Sequence, residues 1–102
     1  MARSRLELHK LLEDILGSSN VYFQPPEGFR LKYPCIVYNR STSRSNSASN
    51  APYRVDKRYS VTLIVRDPDS DLPDKLEWLP QSIFERFFTK DQLNHYIFNI
   101  LY

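Results

Sequence analysis

YRVDKRYSVTLIVR, residues 53–66, alternates almost without error. Tyr53, Val55, Lys57, Tyr59, Val61, Leu63 and Val65 fall on one face. Arg54, Asp56, Arg58, Ser60, Thr62, Ile64 and Arg66 fall on the other. A period of two is what a strand with one buried and one wet face requires. The residues are mostly β-branched or aromatic, types that fit a pleated, half-buried surface. Read as one strand, the stretch is about twice the usual length of roughly 5–6 residues. Its Leu63 end is expected in the core, and its Tyr53 end beyond the body.

On either side of this strand the signals change. Upstream, residues 40–52 (RSTSRSNSASNAP) hold Ser and Asn and no large apolar residue. Such a segment cannot bury enough surface to offset its ordering entropy, so it is expected as a mobile hairpin loop. Before it, PCIVYN (residues 34–39) is an apolar run of strand length, with Cys35 as a small core residue. Downstream, Asp67-Pro68 breaks the strand, Ser70 or Asp71 is placed to cap a helix, and Pro73 fits its first turn. Leu72, Leu76 and Leu79 form its stripe, with Trp78 beside it, and Pro80 ends it. SIFERFF (residues 82–88) and NHYIFNILY (residues 94–102) read as strands joined by residues 89–92.

The N-terminal part is helical. Ser4 and Glu7 make a capping box. Leu8, Leu11, Leu12, Ile15 and Leu16 form one apolar stripe, and Gly17 is the stop. Val21-Tyr22-Phe23 is a short extended segment that Pro25-Pro26 ends, and Glu27-Gly28 is a turn. The expected fold is α+β: a two-layer sandwich, mainly antiparallel sheet, with an N-terminal amphipathic helix, a second short helix and a long projecting β-hairpin.

The chain has 102 residues, enough for a single domain. One cysteine excludes an internal disulfide and suits a reducing compartment. The opening MARSRLELHK lacks an apolar segment of signal-peptide type. A net charge of +2 is too small to argue nucleic-acid binding by itself. Asp67, Asp69 and Asp71 have the spacing that opens a calcium loop, but Leu72 stands where glycine is needed and Trp78 where a bidentate glutamate is needed. Helix capping is the better use of these carboxylates. His9 and His95 have no second ligand at zinc spacing. Two glycines cannot build a phosphate-cradling loop. No catalytic residue, metal ligand or cofactor site is expected.

Charge distribution is the remaining signal. Arg30, Lys32, Arg40, Arg44, Arg54, Lys57 and Arg58 stand against Asp56 alone, a net +6. Asp67, Asp69, Asp71, Asp74 and Glu77 stand against Lys75, a net −4. A basic hairpin that meets an acidic surface on a neighbouring copy would build a head-to-tail assembly. The interface candidates are Arg40, Arg44, Ser45, Asn46, Tyr53, Arg54, Asp56, Lys57 and Arg58 on the hairpin, and Asp67, Asp69 and Asp71 after it. A different use of the same region is nucleic-acid binding. Arg40, Arg44, Arg54 and Arg58 would hold phosphates while Tyr53 and Tyr59 stack bases.

In order and texture the chain resembles the tail-terminator (tail-completion) proteins of long-tailed bacteriophages. The stretches that carry the resemblance are LELHKLLEDIL, PCIVYN, VTLIVRDPDSDLPDKL and FERFFTKDQLNHYIFNILY. The resemblance implies a homo-oligomeric, hexameric ring that caps the tail tube and ends polymerisation of the major tail tube protein. The ring would offer a surface to the head-completion or connector protein, with DNA passing through the lumen only as cargo. It implies a virion location in the tail or neck, the host cytoplasm during assembly, no membrane, no cofactor and no active site. Another neck component, a head-closure or head-tail joining protein, is the alternative.

Overall fold

The structure, a computed structural model, describes residues 5–41 and 58–101. Its elements in chain order are α1 (Arg5–Leu16), β1 (Val21–Phe23), β2 (Cys35–Arg40), β3 (Arg58–Val65), α2 (Leu72–Glu77), β4 (Ser82–Lys90) and β5 (Leu93–Leu101). The fold is α+β, a compact arrangement of two helices and one mixed five-stranded sheet. None of the described helices is long and apolar enough to cross a membrane.

The sheet order is β1-β2-β3-β5-β4. β1 runs parallel to β2, whereas β2–β3, β3–β5 and β5–β4 are antiparallel. β3 and β4 are therefore parallel, and the α2 crossover leaves a gap that β5 fills. This is a split β-α-β unit. The final strand thus lies inside the sheet, paired on both sides.

β3 organises the core as its alternation requires. Tyr59, Val61, Leu63 and Val65 are buried and cluster with Leu8, Leu12, Leu16 and Leu76 of the helices. The neighbouring strands add Ile36, Tyr38, Phe98 and Ile100 to the same cluster. Burying such a side chain contributes about 1.5–3 kcal/mol. On the opposite face Arg58, Ser60 and Thr62 are half-buried, but Ile64 is buried too, beside Cys35 and His95 in register. That face is not uniformly wet.

α1 ends at Gly17, whose φ of 77° is the left-handed conformation of a helix stop. Its N–H donates to the Glu13 carbonyl at 2.8 Å. The β4–β5 turn is tighter than expected. Thr89 and Lys90 belong to β4, and the turn is Asp91-Gln92 alone, with φ of 56° and 64°. Two left-handed residues make a type I′ turn, whose twist matches that of paired strands.

Capping at α2 also departs from expectation. Asp71 occupies the cap position without a side-chain hydrogen bond there. Ser70 Oγ accepts instead from the Leu72 N–H at 3.2 Å, and Asp67 Oδ1 from the Asp69 N–H at 2.9 Å. Ser70 thus satisfies the first N–H of α2, one residue ahead of the cap position, while Asp67 closes a local turn before it. The hairpin loop expected from residue 40 starts later, because Arg40 is the last residue of β2, paired with Tyr59. Ser4, residues 42–52 of that loop, the far half of the long strand (residues 53–57) and Tyr102 lie outside the described residues.

Candidate functional site

The charged residues singled out in the sequence divide in space. Arg40 ends β2 and Arg58 begins β3. They sit together at the base of the β2–β3 pair, where the Ser41 N–H donates to the Arg58 carbonyl at 2.9 Å. Arg40 is exposed, and its N–H donates to Gln24 Oε1 at 3.3 Å. Asp67, Asp69 and Asp71 are exposed on the loop that leaves the other end of β3. The eight residues of β3 that separate the two groups span about 25 Å. Basic and acidic candidates therefore occupy opposite ends of one strand. Asp71 has a local partner in Lys75, 3.8 Å away. The remaining candidates, Arg44, Ser45, Asn46, Tyr53, Arg54, Asp56 and Lys57, lie outside the described residues.

Beside the acidic loop is an open hollow of about 300 Å³, lined by Tyr33, Pro34, Val65, Arg66, Asp67, Ser70 and Leu72. Arg66 lies over the Tyr33 ring, 5.7 Å from its centroid. Of the polar side chains in the lining, Asp67 Oδ1 accepts from the Asp69 N–H and Ser70 Oγ from the Leu72 N–H, so both are engaged in local turns. Among the described residues no group of three or more His, Cys, Asp or Glu could hold a metal ion.

Two features were not read from the sequence. The first is a polar chain over Tyr38. Arg5, His9 and Glu13 recur every four residues on α1 and so share one stripe. Arg5 Nη1 donates to the Tyr38 hydroxyl at 3.2 Å, and His9 Nδ1 lies 2.8 Å from the same oxygen. His9 Nε2 is 3.5 Å from Glu13. The hydroxyl thus accepts from Arg5 and shares a hydrogen bond with His9 Nδ1, whose direction the imidazole tautomer sets. Burial pushes the Tyr38 pKa up, partly offset by Arg5. The chain fastens α1 to the sheet. The periodicity of Arg5, His9 and Glu13 was legible, but its partner was not.

The second is the outer strand β4. Ile83, Phe84 and Phe87 are exposed, as is Trp78 just before the strand at 86%. Phe84 packs edge-on against buried Phe98, with centroids 5.4 Å apart. Phe87 meets Tyr96 at 4.9 Å. Phe84 and Phe87 therefore share the face of the buried core yet remain exposed. Their strand character was evident from the sequence and their exposure was not.

No family model, curated protein or solved structure matches this chain.

Proposed function

We propose that this chain is a structural protein of the neck or tail of a long-tailed bacteriophage. It assembles as a hexameric ring that caps the tail tube, ends its polymerisation and offers a surface for the head connector. DNA crosses the lumen as cargo. In this reading the helices form the second layer of a two-layer sandwich, and residues 42–52 are the tip of a projecting hairpin.

The observation that carries the reading is the separation of Arg40 and Arg58 from Asp67, Asp69 and Asp71 along β3. Unlike charges at opposite ends of one subunit favour a contact in which the basic end of one copy meets the acidic end of the next. Such a contact is heterologous, and it closes into a ring when the rotation per step divides the circle. Charge complementarity of this kind sets register and partner choice more than raw affinity. The resemblance to tail-terminator proteins supplies the partners, the major tail tube protein and the connector.

The test is addition of the purified protein to growing tail tubes, imaged by negative stain. Rings at tube ends and arrested growth are expected. Removing residues 42–50 should leave the circular dichroism spectrum intact and reduce ring docking. A protein that stays monomeric and never associates with tube ends overturns the reading.

A further inference from the structure

The two edges of the sheet are unequal. β1 spans three residues and runs into Gln24, with a φ of 43°, and Pro25-Pro26. Such an edge cannot template a partner strand. β4 spans nine residues, contains no proline and, among the described residues, has a neighbouring strand on one side only. Among the described residues no strand pairs with its outward edge, which runs beside exposed rings.

We propose that β4 pairs antiparallel with β4 of a second copy, about a two-fold axis between Glu85 and Arg86. Three independent properties of the strand meet in that one register.

The first is facing. The β4–β5 ladder shifts between Phe84 and Arg86, so Glu85 is an extra residue. Phe84 and Phe87 consequently both lie on the helix-bearing face, opposite Phe98 and Tyr96. Ile83 and Phe88 lie on the other face, opposite Asn99 and His95. Glu85 and Arg86 lie there too, since Glu85 accepts from Asn99 Nδ2 and Arg86 stacks over Phe88 at 5.1 Å. In the proposed register Phe84 meets Phe87 of the second copy and Ile83 meets Phe88. Every opposed pair shares a face. A slip in either direction sets a bulge against a regular stretch and puts rings on opposite faces.

The second is hydrogen-bond phase. The Leu101 N–H donates to the Gln81 carbonyl at 3.2 Å. By antiparallel alternation Ile83 then turns its backbone groups to β5, and Phe84 turns its own outward. The two-residue turn makes Lys90 and Leu93 a bonded pair, so counting back along the β4–β5 ladder Phe87 also turns outward. Phe84 and Phe87 are therefore free to exchange both backbone bonds with each other across the axis.

The third is charge. The same register sets Glu85 against Arg86 of the second copy, twice by symmetry. Opposite charges directly across a ladder stabilise it and like charges oppose it. The contact is two-fold, so it is not the one that repeats around a ring, and it stands or falls separately from the ring.

The full-length chain is expected to sediment as a dimer whose share grows with concentration. Glu85→Arg and Arg86→Glu should each weaken the dimer by about tenfold, because each places like charges opposite one another at two places. The double variant E85R/R86E should restore it. On the unaltered protein, exchange at the Phe84 and Phe87 amides should slow as concentration rises, while the Ile83 amide should not respond. A monomer at all accessible concentrations overturns the proposal. So does an assembly that neither single substitution weakens, that the double variant fails to restore, or whose Phe84 and Phe87 amides ignore concentration.

Discussion

Replacing Tyr38 with phenylalanine isolates the polar chain that ties α1 to the sheet. Tyr38 is fully buried, and its ring packs on Phe23 at 4.9 Å and on Tyr59 at 6.0 Å. Phenylalanine keeps those contacts, so the loss of about 3–5 kcal/mol that attends aromatic truncation to alanine does not enter. What disappears is one oxygen with two partners, Arg5 and His9. Each hydrogen bond contributes about 0.5–1.5 kcal/mol net. Arg5 and His9 are only half-buried, so water recovers part of their bonding when the hydroxyl goes. The expected cost is about 1–2 kcal/mol. For a domain of this size that lowers Tm by about 5–10 °C. Urea and thermal unfolding measure it directly. A cycle with His9→Ala should show a coupling of at least about 0.5 kcal/mol, as residues in one network do. The substitution also removes an alkaline effect. Burial raises the folded pKa above the ordinary 10.0, so the unfolded chain releases this proton first, and stability present below that pH is lost as pH rises through the folded value. Y38F lacks that component. A variant within about 0.3 kcal/mol of the parent, with no coupling to His9, would refute the reasoning, since such a loss is below that of a single made hydrogen bond.

Cys35 gives a second alkaline signature. Burial raises its thiol from 9.0 to about 11, so the stability gained at neutral pH falls away between those values, by up to about 2–3 kcal/mol. Cys35→Ala should flatten that part of the pH profile, and a native thiol should resist alkylation until the chain unfolds. Leu63→Asp places an unpaired charge among buried aliphatic groups and should abolish folding, seen as loss of a cooperative thermal transition. Gly17→Ala should cost about 1 kcal/mol, because φ is 77° while nothing lies within 4 Å of the added methyl. Denaturant midpoints will show whether backbone strain alone sets that value.

The parts of the fold that depend on local periodicity were readable. Leu8, Leu12 and Leu16 are the buried members of the α1 stripe, and Tyr59, Val61, Leu63 and Val65 the buried face of β3. Gly17 marks the helix end because one residue in the left-handed region suffices, and glycine takes it without a Cβ penalty. The interaction of α1 with Tyr38 was not readable. Its spacing was in the sequence, but a tyrosine inside PCIVYN has the same pattern whether or not its hydroxyl finds a partner. Asp67, Asp69 and Asp71 lie on the loop that breaks the strand, as read, but the side-chain cap expected of Asp71 is not made, and Asp67 bonds the Asp69 N–H instead. Each of these short side chains can bond a backbone N–H two residues on or the helix end, and the choice turns on loop dihedrals.

Strand order is the larger gap, and it controls what the surface offers. SIFERFF has the composition of an inner strand, yet β5 enters between β3 and β4 and leaves β4 outermost. Two lengths explain why its rings stay uncovered. α2 has six residues, with Pro73 in its first turn and Pro80 beyond its end, and so extends about 9 Å. β4 has nine residues, about 30 Å of strand. The helix therefore reaches only the start of the strand, where Ser82 is half-buried, and Phe84 and Phe87 run out beyond it. Both lengths can be counted in the sequence once α2 and β4 are known to be neighbours. A helix too short for the aromatic strand it precedes is the signal that would have found this surface, because rings that the chain's own helix cannot reach are left for another chain to cover.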